Sequence, residues 1–379
     1  MNVIKSLLDE MGEIREIDKS NMLAFCTEAP KHYAEAARIA RSFLKEPQVV
    51  SLALNHVPLN SIIVAGMGGS AISGELLKDW ARNNITVPIE VNREYCLPAY
   101  AGRNTLVLVT SYSGETEESL GAFLDATKRG CMIMCISSGG ALQDFSEKLG
   151  IPHLRVPAGM APRATLPYLF MPLPILLEKL DLVSGVASEI SVAITALKIV
   201  SSANSPDKPL NDNFSKSLAS DICGTVPVVY GFGVYRGVAQ RFKQQFNENS
   251  KLPAKWEVFS ELNHNEIVGW EQHGELAKSF SALFIRDKAE QAEVRSRIEA
   301  TKALMQPAVS NMFEVWVQGE TALAKMLSTV CIGDFTSVYL AILRKIDPTP
   351  VKTIDLLKQQ MKQTGTKEKI VRELEKLAS

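Results

Sequence analysis

The sequence predicts an α/β protein with two parallel sheets, each flanked by helices, a helical extension before the first sheet and a helical tail after the second. Three observations carry this. From Asn60 onward, apolar runs of four to six residues alternate with helical stretches. These runs lack the polar–apolar alternation of a half-exposed strand, which indicates strands buried on both faces, as in a parallel sheet. Near Pro227 the same succession of strand, glycine turn and helix returns, as if one unit had been used twice.

The first-half strands are expected at Ser61–Ala65, 87–91, Thr105–Thr110, Met132–Ser137 and 153–156, with helices over 72–83, Glu117–Lys128 and 141–149. A loop over 157–167 should lead into one apolar helix from Tyr168 to about Leu180. Residues 201–210, polar and proline-bearing, read as an interdomain linker. In the second half, strands are expected in the Pro227 run, at 281–285 and at 313–317. Residues 182–205 and 287–306 are helical in composition and insert-like. Before Asn60, residues 1–57 read as two or three amphipathic helices punctuated by Pro30 and Pro47, with His32 and His56 as surface histidines.

Composition narrows the function classes. The chain has 379 residues, enough for two full domains, and a formal net charge of −1. That balance gives no electrostatic reason to expect nucleic acid or an anionic membrane as a partner. The six cysteines follow no metal or disulfide spacing, so a reducing compartment is expected, with Cys131 and Cys135 in the core. No apolar leader or run near 18 residues is apparent, so the expectation is a cytoplasmic protein, neither secreted nor membrane-spanning.

The stretch richest in chemistry is Thr110-Ser111-Tyr112-Ser113-Gly114-Glu115-Thr116, between an apolar strand and a helix. Three hydroxyls crowd a turn in which Gly114 can take positive φ, and the following helix offers unpaired amides. Such a turn suits a phosphomonoester. The alternative is helix capping, but a cap needs one hydroxyl, not three. Gly66-Met67-Gly68-Gly69-Ser70 repeats the grammar without the spacing of a dinucleotide or Walker loop, and reads as a second wall of the same anion site.

Other candidates follow along the chain. Arg163 is the only charge in residues 156–177 and needs an anionic partner: a substrate phosphate, an enediolate or a structural carboxylate. Glu248 closes a helix among amides and could act as a general base or simply face water. His264, between Asn263 and Asn265 with Glu261 and Glu266 nearby, could titrate near neutrality or sit in a capped loop.

In this order the glycine–Ser70 turn, the hydroxyl turn, Ala-Pro-Arg163-Ala, Asn-Glu248-Asn-Ser-Lys, Glu-Leu-Asn-His264-Asn-Glu and Asp347-Pro348-Thr349-Pro350 resemble the bifunctional phosphoglucose/phosphomannose isomerases. That family is built from two sugar-isomerase (SIS) domains. The resemblance runs from Ser61 to the C-terminus. It implies a phosphate-binding SIS domain over 58–200, a second over 210–345 and a tail over 346–379 that completes the active site, while the helical extension over 1–57 departs from the shorter members of the family.

The resemblance further implies that Gly69, Ser70, Ser111, Ser113 and Thr116 hold a hexose 6-phosphate while Arg163 steadies an enediolate. Glu248 would move the proton between C1 and C2, and His264, donated by the neighbouring subunit of a homodimer, would open the ring. Lys358 would assist, with Lys352 as its neighbour for that role. Aldose–ketose isomerisation through a cis-enediol requires no redox cofactor and no metal, and the sequence lacks the zinc-ligand spacing of the unrelated zinc-dependent phosphomannose isomerases. Two other readings stand beside it: a non-catalytic sugar-phosphate-binding regulator and an aminosugar-phosphate enzyme.

Overall fold

In a computed structural model describing residues 7–54, 58–271 and 274–379, the described residues form nine strands in two all-parallel sheets. His56 lies outside the described residues. The first sheet contains β1 (Ser61–Ala65), β2 (Ile89–Asn92), β3 (Thr105–Thr110), β4 (Met132–Ser137) and β5 (His153–Arg155), in the order β2-β1-β3-β4-β5. The second contains β6 (Val226–Phe232), β7 (Lys255–Phe259), β8 (Phe280–Arg286) and β9 (Asn311–Trp316), in the order β7-β6-β8-β9. Over four strands the two orders are the same, which bears out a repeated α/β unit.

The apolar runs make the central strands because both their faces are covered: every residue of β1 and β3 is buried. In the register, Val64 stands between Val91 and Leu108. β2 starts two residues later than expected. Pro88 has no amide for the ladder, and its carbonyl accepts from the Ile62 N–H at 2.9 Å as the strand begins. The expected helix from Tyr168 is two helices, Leu166–Phe170 and Pro172–Lys179, because Pro172 and Pro174 remove donors where the ladder would continue.

Two compact units divide the chain, residues 31–187 with 351–379 and residues 1–30 with 188–350. These are not the divisions drawn from the sequence at 57, 200–210 and 345. Residues 201–210 are no linker: Asn204 and Ser205 are buried, the Tyr339 hydroxyl donates to the Asn204 carbonyl at 2.6 Å, and the Ser215 N–H donates to its side chain at 2.9 Å. Residues 287–306 are no insert either. Their helix, Ala292–Met305, is the crossover that two parallel neighbours, β8 and β9, require.

In the first-sheet unit, the core between sheet and helices gathers Val107, Val109, Phe123, Leu142 and Phe145. Cys135 is buried there, its thiol pushed up to about 12 by burial, whereas Cys131 precedes β4 and is half-buried. The C-terminal helix Thr366–Ala378 joins this core through Ile370 and Leu374, so the expected charged tail docks by its apolar stripe. Each such side chain removed from water contributes roughly 1.5–3 kcal/mol before entropy. His32 is not a solvated histidine: its Nδ1 donates to the Tyr168 hydroxyl at 3.0 Å, which in turn donates to Glu35 at 2.6 Å. By contrast, the helix Lys352–Met361 has no buried residue and leaves Ile354, Leu356 and Leu357 exposed.

The second-sheet unit is organised on the helix Ala322–Leu343. Its length and mean hydropathy would suit a membrane, yet its apolar window is 94% buried inside the protein, which accounts for its composition. The helix Val186–Ala203 also passes that test of length and composition, with 39% of its window buried. Leu8, Met22, Leu23 and Cys26 from the start of the chain are buried in this unit, and Asp9 pairs with the buried Lys216 ammonium at 3.1 Å. The first thirty residues therefore belong with the second sheet.

Candidate functional site

The hydroxyl turn follows β3 at the carboxyl rim of the first sheet, the side on which α/β sheets bind ligands. Thr116 occupies the N-cap position of the helix Glu117–Lys128, yet its side chain makes no capping bond. Instead the Ser111 hydroxyl donates to the Thr116 hydroxyl at 3.1 Å. The hydroxyls are therefore not spent on capping, and the helix keeps its first amides and positive dipole end facing the turn.

A second loop braces this turn. Gly114 has φ +67°, and a Cβ there would lie 1.8 Å from the Gly139 carbonyl oxygen. Only glycine fits. On the other side, a Cβ on Gly140 would meet the Ser113 carbonyl oxygen at 2.5 Å. The helix Gly140–Lys148 has no cap of its own from Gly139; the Ala141 N–H donates to Glu115 Oε1 at 2.9 Å and the Leu142 N–H to the Gly114 carbonyl at 3.0 Å. Glu115 also pairs with Lys367 at the start of the C-terminal helix. The hydroxyl turn thus caps a neighbouring helix while leaving its own uncapped.

Behind the brace, the Ser137 hydroxyl donates to the Gly139 carbonyl at 2.8 Å, so the 2.7 Å bond to His153 must run from Nε2–H of the imidazole. Burial pulls His153 down to about 4 and keeps it neutral. Sequence reasoning missed Glu115, Ser137, Gly139, Gly140 and His153. The Gly139-Gly140 pair after an apolar strand was the available signal, since it repeats the strand–glycine–helix grammar used to find the first two turns.

The Ser70 turn meets the hydroxyl turn through Thr110. A Cβ on Gly66 would lie 2.6 Å from Thr110 Oγ1, and that hydroxyl lies 3.3 Å from the Ser70 carbonyl. Ser70 is buried in the first turn of the helix Gly69–Ala81, whose N-cap is Gly68, without a side chain to cap it. A Cβ on Gly69 would lie 3.1 Å from the Pro162 carbonyl oxygen, which places the turn Pro162–Ala164 and its buried Arg163 over this helix start. Gly69, Ser70, Ser111, Ser113, Thr116 and Arg163 are therefore brought together in one unit, around two uncapped helix N-termini.

Lys358 belongs to the same unit but is not among them. It stands exposed on the helix Lys352–Met361, as does Lys352 at its start.

Glu248 and His264 belong to the other unit. Glu248 is the half-buried last residue of the helix Arg236–Glu248, which is anchored to the core helix by Arg241 and Gln245 on Asp334, at 3.2 and 2.8 Å. Burial pushes the Asp334 carboxyl up, with Arg241 opposing. His264 is exposed at the end of the turn Glu261–His264, and its imidazole has no hydrogen-bond partner among the described residues. Its flanking carboxylates do not orient it. Glu261 accepts from Asn265 at 2.6 Å and Glu266 from the Tyr230 hydroxyl at 2.6 Å, so both are spent on holding the loop.

The turn after β8 is the counterpart of the hydroxyl turn after β3. Here Asp287 takes the Tyr235 hydroxyl at 2.5 Å, the Ala289 N–H at 2.9 Å and the Lys325 ammonium at 2.9 Å. Burial alone would raise this carboxyl, but Tyr235, Ala289 and Lys325 hold it below the ordinary range. A fixed carboxylate fills the place where the first unit keeps open hydroxyls.

Among characterised proteins, a bifunctional phosphoglucose/phosphomannose isomerase from Caldicellulosiruptor bescii is 39% identical over 313 residues, covering 82% of this chain and 92% of that protein. The chain belongs to the bifunctional phosphoglucose/phosphomannose isomerase family. The Aquifex aeolicus isomerase of the same name is 32% identical over 86% of this chain and 98% of its own. Residues 211–361 match the bacterial phospho-glucose isomerase C-terminal SIS domain. A D-glucosamine-6-phosphate 4-epimerase from Sulfolobus acidocaldarius is 34% identical over 53% of this chain and 61% of its own. Among solved structures, a hypothetical protein from Thermus thermophilus shares the fold at TM-score 0.71 and 13% identity, covering 94% of both chains. The C-terminal domain of glucosamine-fructose-6-phosphate aminotransferase from Francisella tularensis shares it at 0.66 and 16%, covering 86% of this chain and 96% of that one.

In this isomerase, Thr116→Val should raise KM for a phosphorylated sugar roughly tenfold, the equivalent of one charge-assisted hydrogen bond, with kcat nearly unchanged. Steady-state kinetics check this; an unchanged KM would return Thr116 to a structural role. Because His153 is neutral in the fold at about 4 but titrates near 6.5 when unfolded, stability should fall as pH drops from about 6.5 towards 4 and level off below. His153→Gln should flatten that slope in urea unfolding at pH 7.5 and 5; equal slopes would refute it.

Proposed function

We propose that this chain interconverts glucose 6-phosphate and mannose 6-phosphate with fructose 6-phosphate through a cis-enediol. The observation that carries the reading is the hydroxyl turn with its unspent Thr116, set beside Ser70 and the buried Arg163 in a member of this family. Short hydroxyls and two helix starts suit a phosphate dianion. The phosphate would hold the sugar by its unreactive end, common to both hexoses.

After ring opening, Glu248 takes the proton from C2 of the aldose and the electrons move onto O1 as the C1–C2 enediolate forms; the O2 hydroxyl proton then passes to O1, and Glu248 returns its proton to C1 as O2 becomes the ketone carbonyl. Arg163 would stabilise the oxyanion, a task suited to a buried guanidinium. His264 would transfer the ring-opening proton, with Lys358 assisting. Glucose and mannose 6-phosphates are C2 epimers that share one enediol and differ in the face from which C2 is protonated, so a single base would serve both through rotation about C2–C3.

A homodimer in which His264 serves the neighbouring subunit is part of this reading. Its support is the exposure of His264 together with the uncovered apolar side chains of the helix Lys352–Met361, which a second copy would bury. Six free thiols suit a reducing cytoplasm. The similarity to the glucosamine-6-phosphate epimerase favours one alternative, an aminosugar phosphate as substrate.

The test is a coupled assay of the EDTA-treated protein with glucose, mannose and glucosamine 6-phosphates offered separately. Turnover is expected on the first two, and Glu248→Gln should lower kcat on both by roughly 10²–10⁴-fold, the usual contribution of a positioned base. Turnover of the amino sugar alone would replace this reading with the alternative, and a Glu248→Gln enzyme within tenfold of the original would remove Glu248 from the role of base.

A further inference from the structure

Lys251 has φ +52°, the left-handed region that a residue with a side chain seldom occupies. That conformation folds its side chain back over the end of the helix Arg236–Glu248. Its ammonium donates to the Glu248 carbonyl at 2.5 Å, to the Pro348 carbonyl at 2.7 Å and, at the longer distance of 3.5 Å, to the Asn249 carbonyl. Carbonyls at a helix C-terminus lack partners within the helix and carry the negative end of its dipole, so a cation is the suited cap. Here the cap also ties the helix end to the turn in which the Thr349 N–H donates to Asp347.

The residues around Glu248 are fixed as well. Asn247 donates to the Leu252 carbonyl at 2.8 Å, Asn249 to the Ser337 hydroxyl at 2.9 Å, and the Ser250 hydroxyl to the Ser337 carbonyl at 2.6 Å. The amides and hydroxyl flanking Glu248 are thus engaged in holding the segment to itself and to the core helix.

We infer that Lys251 is a positioning residue for the isomerisation: it fixes the backbone that carries Glu248, and Ser337 supports it from the core helix. The inference rests on Glu248 as the base. It matters to rate because a base displaced by about 1 Å loses roughly a hundredfold in turnover even when substrate binds normally. Substrate binding should be spared, since the phosphate-holding residues belong to the other unit.

Lys251→Met keeps the length of the side chain and removes its donors. It should lower kcat about 30- to 100-fold on both hexose phosphates with KM within about twofold. Lys251→Arg, which can still donate to carbonyls, should recover most of the loss. A second readout follows the hydrogen itself: with [2-²H]glucose 6-phosphate, the share of deuterium passed from C2 to C1 should fall in Lys251→Met, because a loosened base exchanges with water. A purely structural lysine would lower the thermal midpoint but leave kcat per folded molecule and deuterium transfer unchanged, and that result would overturn the inference.

Ser337→Ala, which removes the Asn249 support and the hydroxyl's own bond to the Asp334 carbonyl while leaving the Ser337 carbonyl to Ser250, should show the same pattern at roughly tenfold in kcat, and it decides the matter if Lys251→Met does not fold. Glu248→Gln is assayed alongside. An active Glu248→Gln enzyme means the base was misassigned, whereas an inactive one beside a fully active Lys251→Met or Ser337→Ala enzyme rejects the positioning role alone.

Discussion

The hydroxyl turn depends on one close approach, that of Gly114 to the Gly139 carbonyl. A methyl group at Gly114 would collide at 1.8 Å, and because Gly114 also has positive φ, no other residue meets both demands. This contact seats the turn in the loop after β4, and from that seating the rest follows. Glu115 and the Gly114 carbonyl become the cap of the helix Gly140–Lys148, which frees Thr116 from capping the helix it begins. Hydroxyls already satisfying helix amides would have to break those bonds before accepting a phosphate. In this arrangement they do not.

The second unit shows what the same strand order does with the opposite solution. Its turn after β8 encloses Asp287 between Tyr235, Ala289 and Lys325, while Arg286 beside it is shared among Glu290, Glu299 and Glu314. A carboxylate so paired is an anion already bound. Repulsion disfavours a phosphate there. The repeated unit thereby has one copy whose rim keeps open hydroxyls and another whose rim is an ion network. The second copy carries the Glu248 helix and the His264 loop instead.

What was legible in the sequence was local. β1, β3 and β4 lie at the residues expected because an apolar run bounded by turn residues has one stable use in a buried parallel sheet. β7 was not legible, since Lys255-Trp256-Glu257-Val258 lies on an edge, half exposed, and resembles a loop in composition. The membership of the first thirty residues in the second-sheet unit depends on Leu8 and Met22 finding that unit's core, a long-range choice that periodicity does not encode. The stretch 201–210 misled for a related reason: its polar composition signals a linker unless one knows that the Tyr339 hydroxyl, over a hundred residues away, donates to the Asn204 carbonyl. At the candidate site, residue types singled out the hydroxyl turn, but its uncapped helix and its brace emerge only in three dimensions.

The proposed roles have a consequence for specificity. A phosphate at C6 is the same group at the same place in both hexose phosphates, so a hydroxyl turn that holds it would supply affinity without distinguishing the epimers. Discrimination at C2 must arise where the proton is moved, and there the two substrates converge on one enediol. Tight control of the base's position then serves rate rather than selectivity. The segment 247–251 fits that demand, because its bonds run to the core helix and to the turn at 347–349 rather than to surface loops that could adjust to each epimer. On the proposed assignment of Glu248, accepting two epimers would follow from holding them by what they share and acting on them with one fixed carboxylate.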